Sequence, residues 1–271
     1  MLKNKKYVVL IVVVFLSLGL VLSGCGGKED EKLSKLEEIQ KEGKIVLGTA
    51  ADYPPYEFHK QINGEDHIVG FDIKIAEKIA ENMGVELEIK DMKFNGLLAA
   101  LKAGNIDFIV AGMVPTEERA KSVDFSKKYY KAEQKFLTKA GKGSEYKAIE
   151  DLSGLKVGAQ KATVQQKIVK EKIDTSDTKF ISKITDLVLE LKNDKIDGVV
   201  LVKPVANAYA EANEDLEMAE LSLGQEDGIA IAVQQETPEL LKEINKTLDQ
   251  LLNENKITEY IQEATKMAEN N

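Results

Sequence analysis

The sequence predicts an α/β fold in two lobes of similar build, and three observations carry that expectation. From Lys44 onward, short β-branched runs alternate with amphipathic helical segments, the pattern of α/β layering. After a Gly-containing loop at residues 140–144 the alternation begins again. A ten-residue frame also occurs twice, at 101–110 and 191–200. Both copies read L-K-x-x-x-I-D-x-x-V, a helix end, a polar turn and a buried strand.

In chain order, the first strand is expected at 45–47. A helix follows at Phe71–Met83, with Ile75, Ala76, Ile79, Ala80 and Met83 on one face and Lys74, Glu77, Lys78 and Glu81 on the other. A strand at 85–89, a helix at 96–102 and a strand at 106–110 complete the first run. The second run places strands at 156–159, 179–181 and 198–202, with helices at 164–172, 185–193 and 204–213. A helix at 238–254 closes the chain, apolar at Leu241, Ile244, Leu248, Leu251 and Leu252, and a shorter one runs to Met267. In sheets of this kind ligands bind beyond the carboxyl ends of the strands, where helices begin. A cleft between two lobes is therefore lined by strand-to-helix turns.

The first 24 residues lie outside that fold. Lys3, Lys5 and Lys6, an apolar run over 7–22 and a small-residue exit read as a secretory signal peptide, against the alternative of an uncleaved membrane anchor. Leu22-Ser23-Gly24-Cys25 resembles a bacterial lipobox, which implies lipidation of Cys25, the chain's one cysteine. Residues 25–39 are then the lipidated N-terminus and tether, with the polar, charged stretch 26–34 having little to bury. This places the protein at the cell membrane, lipid-anchored on the extracytoplasmic face. With the three signal lysines set aside, a formal charge of −9 becomes −12. Such a surface repels phosphate backbones, so nucleic acid is excluded as a partner. With one cysteine, an exported chain has no intramolecular disulfide and depends on burial, for which roughly 240 residues suffice.

The turns contain one anomaly. In Gly112-Met113-Val114-Pro115-Thr116-Glu117-Glu118-Arg119, Thr116 reads as a helix N-cap, with Glu117 and Glu118 favouring the dipole. Arg119 then sits in the first turn, where a cation is unwelcome. Either a bound carboxylate answers it, helped by free N–H groups around Gly112, or the side chain leans away into solvent. Tyr53 lies between a strand end and the rigid Pro54-Pro55, a position facing the surface. Phe94 also reads as ordinary core. His59 and His67 flank Asn63-Gly64 in a hairpin-like loop, where a metal site with Asp66 is weaker than an exposed turn. No nucleophile–His arrangement can be built around a cleft from these two histidines, and a glycine-rich phosphate loop is missing. No catalytic residue, metal or cofactor is expected.

Thr49-Ala50-Ala51-Asp52-Tyr53-Pro54-Pro55-Tyr56-Glu57-Phe58, Gly70-Phe71-Asp72, the 112–119 segment and Val123-Asp124-Phe125-Ser126 resemble polar-amino-acid binding proteins. These are the extracellular solute-binding proteins of family 3, with the type II periplasmic-binding fold. Leu152-Ser153-Gly154-Leu155-Lys156-Val157-Gly158 and Ile196-Asp197-Gly198-Val199-Val200 extend the likeness, which spans about residues 36–268. The resemblance implies two lobes, 40–134 with 229–271 and 135–228, joined by two crossover strands near 134–138 and 229–233. It implies that Arg119 binds the ligand carboxylate, with Gly112 and Val114 beside it. Tyr53 and Phe94 wall the ligand side chain, and Gln160 and Thr163 contact it from the second lobe. It further implies an amino acid or related carboxylate as ligand, closure by hinge motion, a membrane permease of an ABC importer as partner, and action as a monomer. A sensory module, or a dehydratase on the same fold, is the alternative; this cleft has lost carboxylates that such an enzyme needs.

The departures from the family pattern sharpen the question of the ligand. Valine stands at 114 where Ser or Thr is common, and alanine at 162 where glycine is usual. The aspartate that holds the ligand ammonium is replaced by Val202, and a second cleft aspartate by Ala50. Either another acid substitutes, with Asp227 and Glu226 the nearest, or the ligand is not a standard α-amino acid. Lys161 and Lys203, near helix starts, hint at an anionic ligand unless they are solvated.

Overall fold

The computed structural model describes residues 33–269. The signal segment and Cys25 lie outside the described residues. Among those described, no helix is long and apolar enough to cross a membrane. Residues 35–39, expected in the tether, instead open helix α1 (Lys35–Glu42), whose Ile39 is buried. The reason is a capping box: Ser34 accepts from the Glu37 N–H, and the Glu37 carboxylate accepts from the Ser34 N–H.

The first sheet has the order β5 (Glu86–Asp91), β1 (Lys44–Thr49), β6 (Phe108–Ile109), β13 (Ala232–Val233), β7 (Asp124–Phe125). β1 runs parallel to β5 and β6, while β13 is antiparallel to β6 and β7. The second sheet has the order β10 (Asp177–Ile181), β9 (Lys156–Gln160), β11 (Gly198–Val202), β8 (Gln134–Lys139), β12 (Leu216–Met218). A third, antiparallel sheet joins β2 (Asp52–Tyr53), β3 (Glu57–Ile62) and β4 (Glu65–Val69). Its hairpin turns on Asn63 and Gly64, whose φ of 54° and 86° are the left-handed values that a two-residue turn requires.

Helix α2 (Phe71–Met83) buries the expected face: Ile75, Ala76, Ile79 and Ala80. Helix α3 (Leu97–Lys102), preceded by a 3-10 turn at Phe94–Gly96, leads into β6, and the short α4 (Glu117–Ala120) follows it. In the second lobe α5 (Val164–Lys172), α6 (Ile184–Lys192) and α7 (Lys203–Glu211) follow β9, β10 and β11 in turn. Helices α8 (Pro238–Asn253) and α9 (Lys256–Glu269) return to pack on α2. In α8 the buried stripe is Leu240, Ile244, Thr247, Leu248 and Leu251, so the inward face is rotated from the expectation and Leu252 is 40% exposed.

The repeated ten-residue frame proves to be one structural device used twice. Asp107 donates its N–H to the Val46 carbonyl (2.8 Å) and accepts the Val46 N–H on Oδ2 (2.7 Å). Asp197 does the same to Lys156, at 2.8 and 2.7 Å. Above each pair an isoleucine and a leucine cover a strand glycine: Ile106 and Leu97 over Gly48, Ile196 and Leu187 over Gly158. A Cβ on Gly48 would lie 2.2 Å from Ile106, so the close packing requires glycine there. Between the sheets the chain crosses twice, and the crossing segments pair: Tyr130 bridges Ile229, and Glu133 bridges Gln225. Of the segments expected to cross, 134–138 lies within β8, whereas 229–233 begins at Ile229, in the paired crossing, and ends in β13.

Candidate functional site

A cleft of about 350 Å³, counting its open mouth, lies between the sheets. Its wall brings together the sequence-predicted Tyr53, Phe94, Gly112, Val114, Arg119, Gln160 and Thr163, and adds Asp52, Glu57 and Gln165 among others. Strand ends and helix starts supply the lining, as expected for this layering.

Arg119 is the chain's single arginine beside thirty-six lysines. Thr116 caps α4 by accepting the Arg119 N–H (3.3 Å), which holds the residue in the first turn. Arg119 is only 9% exposed. Its guanidinium donates to the Val114 carbonyl (2.7 Å) and, across the cleft, to the Ala162 carbonyl (2.6 Å). Its carbon stands 5.3 Å from the centre of the Phe94 ring, a cation–π distance. Burial pulls its pKa down to about 10, with Glu118 opposing. No carboxylate of the described residues forms an ion pair with it, so the reading as a solvated helix arginine does not hold. Ala162 itself adopts φ 64°, a left-handed conformation that costs an L-residue about 1–2 kcal/mol.

Away from the guanidinium the lining is acidic. Glu57 is 1% exposed and its Oε2 has no hydrogen-bond partner. Burial raises its pKa well above the carboxylate range, and the neighbouring Asp72 and Asp52 add to that. Asp72, in the first turn of α2, accepts from the Gly112 N–H and the Tyr129 hydroxyl, both at 2.8 Å, and shares a hydrogen bond with Glu57. Its pKa still rises to about 6, because burial outweighs those donors. Asp52 accepts the Ile184 N–H on Oδ2 (2.7 Å), while its Oδ1 is buried without a partner. Burial lifts it to about 6, Asp91 adds to the rise, and the Ile184 N–H and Lys183 oppose.

Several expectations need correction. The Gly112 N–H is not free for a ligand, since Asp72 takes it; the glycine is needed for its φ of 53° and because a Cβ would meet the Tyr53 ring at 3.2 Å. Val202 is buried and is not among the residues lining the cleft; its backbone hydrogen-bonds the Tyr53 hydroxyl. Of the two substitute acids, Asp227 is exposed, and Glu226 is buried at the crossing, where it accepts from Ala132 and Gln134. Neither lines the cleft. Lys161 and Lys203 are exposed and outside it, which removes the hint of an anionic ligand. Thr163 caps α5 and donates to the Gln160 carbonyl (2.7 Å), and Gln160 donates to Ser182. Gln165 reaches Gln134 at the crossing (3.0 Å). His59 sits between Asp66 (2.7 Å) and Asp91 (3.4 Å); partial burial lowers its pKa, but the two carboxylates outweigh that and raise it overall. Among the described residues no cluster suits a metal ion.

The residues missed from sequence were Asp52 and Glu57. Asp52 stands two positions after Ala50, where an aspartate was missed, and it could have been sought on the same segment. The use of arginine once against thirty-six lysines was a further unread signal, since only arginine offers a planar fork.

The model of the bacterial extracellular solute-binding proteins, family 3, matches residues 45–265. The chain is similar to the arginine-binding extracellular protein of Bacillus subtilis, 35% identical over 251 residues, covering 91% of this chain and 92% of that one. It is similar to the ABC transporter glutamine-binding protein of the same organism, 31% identical with 89% and 90% covered. Among solved structures it resembles an amino-acid ABC transporter substrate-binding protein of Streptococcus pneumoniae bound to L-arginine. The TM-score is 0.83 and the identity 34%, with 86% of this chain and 98% of the other covered.

Proposed function

Since this chain belongs to the bacterial extracellular solute-binding proteins of family 3, we propose that it captures an amino acid with a cationic side chain, arginine above all, for an ABC importer. One observation carries this. The cleft is lined by a single buried cation lacking an acid partner and by two carboxyls that each keep a buried oxygen unpartnered. A ligand with one carboxylate and an excess of positive charge complements both. Arg119 takes the carboxylate by its remaining N–H groups, Tyr53 and Phe94 flank the aliphatic stem, and Glu57 and Asp52 meet the cationic groups. Gln160, Thr163 and Val114 close the wall, Gly112 lets the Tyr53 ring approach, and Val202 backs that ring. The names of the arginine-binding relatives point the same way.

In this reading the two lobes, 40–134 with 229–271 and 135–228, close on the ligand about the crossing segments. The protein is exported by residues 1–24, held by a lipid on Cys25 at the extracytoplasmic face, and delivers its cargo as a monomer to a membrane permease.

Isothermal calorimetry of the purified protein against arginine, glutamine and glutamate tests the reading. Arginine is expected to bind most tightly. Tight glutamate binding with no response to arginine would overturn it. Intact mass of membrane-extracted protein tests the anchor: a lipid-modified chain beginning at Cys25 is expected, and an unmodified chain retaining Met1 would refute it.

A further inference from the structure

Asp52 belongs to the first lobe, on β2, yet its contacts run into the second. The Ile184 N–H, the first amide of α6, donates to Oδ2 at 2.7 Å. That helix has no cap of its own, because Lys183 at the N-cap position makes no side-chain hydrogen bond. The Asp52 carbonyl accepts from the Tyr209 hydroxyl of α7 at 2.9 Å. One residue thus fastens two second-lobe helices. Its other carboxylate oxygen, Oδ1, is buried with no partner, and Asp52 lines the cleft together with Glu57 and Arg119.

We infer that Asp52 is the specificity-determining and closure-coupling carboxylate of this chain, capping α6 across the cleft with one oxygen and receiving a cationic group of the ligand with the other. The inference rests on the reading of the cleft as a site for a cationic amino acid, and extends it to how charge governs closure. When the lobes part, water serves both oxygens. When they close, the α6 amide satisfies one and leaves the other desolvated unless a cation arrives. Lys183 and Asp91 face the group with opposite signs, and neither supplies a hydrogen bond to Oδ1. A neutral ligand lets the lobes close only by leaving that oxygen unmet; a cationic ligand completes it. The chain thereby recovers a carboxylate for the ligand although Val202 offers none.

Two substitutions separate the functions. Asp52→Asn keeps an oxygen to accept the Ile184 N–H and removes the charge, whereas Asp52→Ala removes both. Calorimetry is run with arginine, with citrulline, whose side chain is neutral, and with N-acetylarginine, whose α-nitrogen is neutral. Small-angle scattering of the ligand-free proteins reads lobe opening. Wild type is expected to prefer arginine over at least one analogue by tenfold or more. Asp52→Asn should shrink that preference to under threefold with unchanged ligand-free scattering. Asp52→Ala should weaken arginine further and raise the radius of gyration. Arginine binding to the Asn variant with the wild-type preferences intact, or equal weakening for all three probes, would overturn the role of Asp52 alone. No binding of arginine by the wild type would overturn the reading of the cleft and this inference with it.

Discussion

The two lobes share a scaffold and divide the chemistry. Each ties a parallel strand, β1 or β9, to a helix-to-strand junction through an aspartate, Asp107 to Val46 and Asp197 to Lys156, with the same two hydrogen bonds. At the cleft the likeness ends. The first lobe supplies every ionisable carboxyl and guanidinium of the lining: Asp52, Glu57 and Arg119. The second supplies Gln160, Thr163, Val164 and Gln165, all neutral. In the proposed reading, charge recognition therefore belongs to one lobe. The other contributes closing contacts, of which the Arg119 bond to the Ala162 carbonyl and the Ile184 bond to Asp52 are the shortest shown.

The largest expected effect falls on the charged side. Arg119→Ala should weaken arginine binding by about 2–5 kcal/mol, tens- to thousands-fold, because the ligand carboxylate would be buried unpaired. Gln165→Ala in the neutral lobe should cost under tenfold in the same titration. Equal losses would break the division of labour. Next come the matched junctions. Asp107→Ala and Asp197→Ala should each destabilise the fold by about 1.5–3 kcal/mol in urea unfolding, the range for hydrogen bonds to a charged group. A much larger loss at one than the other would show that the two devices are not equivalent.

Acidity sharpens the comparison further. Asp52 and Asp72 rise to about 6 and Glu226 to about 7, so the folded protein holds protons that the unfolded chain has released. Carboxyls shifted upward stabilise the fold below their unfolded pKa near 4, and that contribution disappears as pH rises through 6–7. The melting temperature of ligand-free protein should therefore fall from pH 5 to pH 8, and the gain on adding arginine should grow over the same window. Affinity for arginine should drop up to tenfold per unit below pH 6, since Asp52 must lose its proton to meet the cation. The smallest effect is Ala162→Gly, which should relieve the left-handed strain and add about 1 kcal/mol of stability in urea unfolding.

How much of this was legible in the sequence differs between scaffold and site. Helix α2 and strand β11 begin and end where periodicity places them, because apolar residues at helical or strand spacing have one way to be buried. The rotation of α8 was not legible: Leu240, Leu241, Leu251 and Leu252 offer two nearly equal faces, and packing chooses between them. At the site, Arg119 stood out because its place in a helix is locally unfavourable. Asp52 and Glu57 did not, since an aspartate before Tyr-Pro-Pro reads as a turn and a glutamate after it as an exposed strand residue. Their meaning depends on partners distant in sequence, Ile184 for Asp52 and Asp72 for Glu57. Val202 was given weight by the resemblance to the family; it is absent from the cleft lining, and its backbone hydrogen-bonds the Tyr53 hydroxyl.

The chain leaves the first sheet and returns to it at neighbouring points, where Glu133 meets Gln225 and Tyr130 meets Ile229. Everything between those points is a detour whose ends already touch. Residues 134–224 could be exchanged for a tight turn without stretching the backbone, as loops are whose ends lie close. What remains would carry Asp52, Glu57 and Arg119 on one open wall. Such a half-receptor should still sense the charge of arginine at millimolar concentrations, yet release it at once, having lost the wall that closes over it.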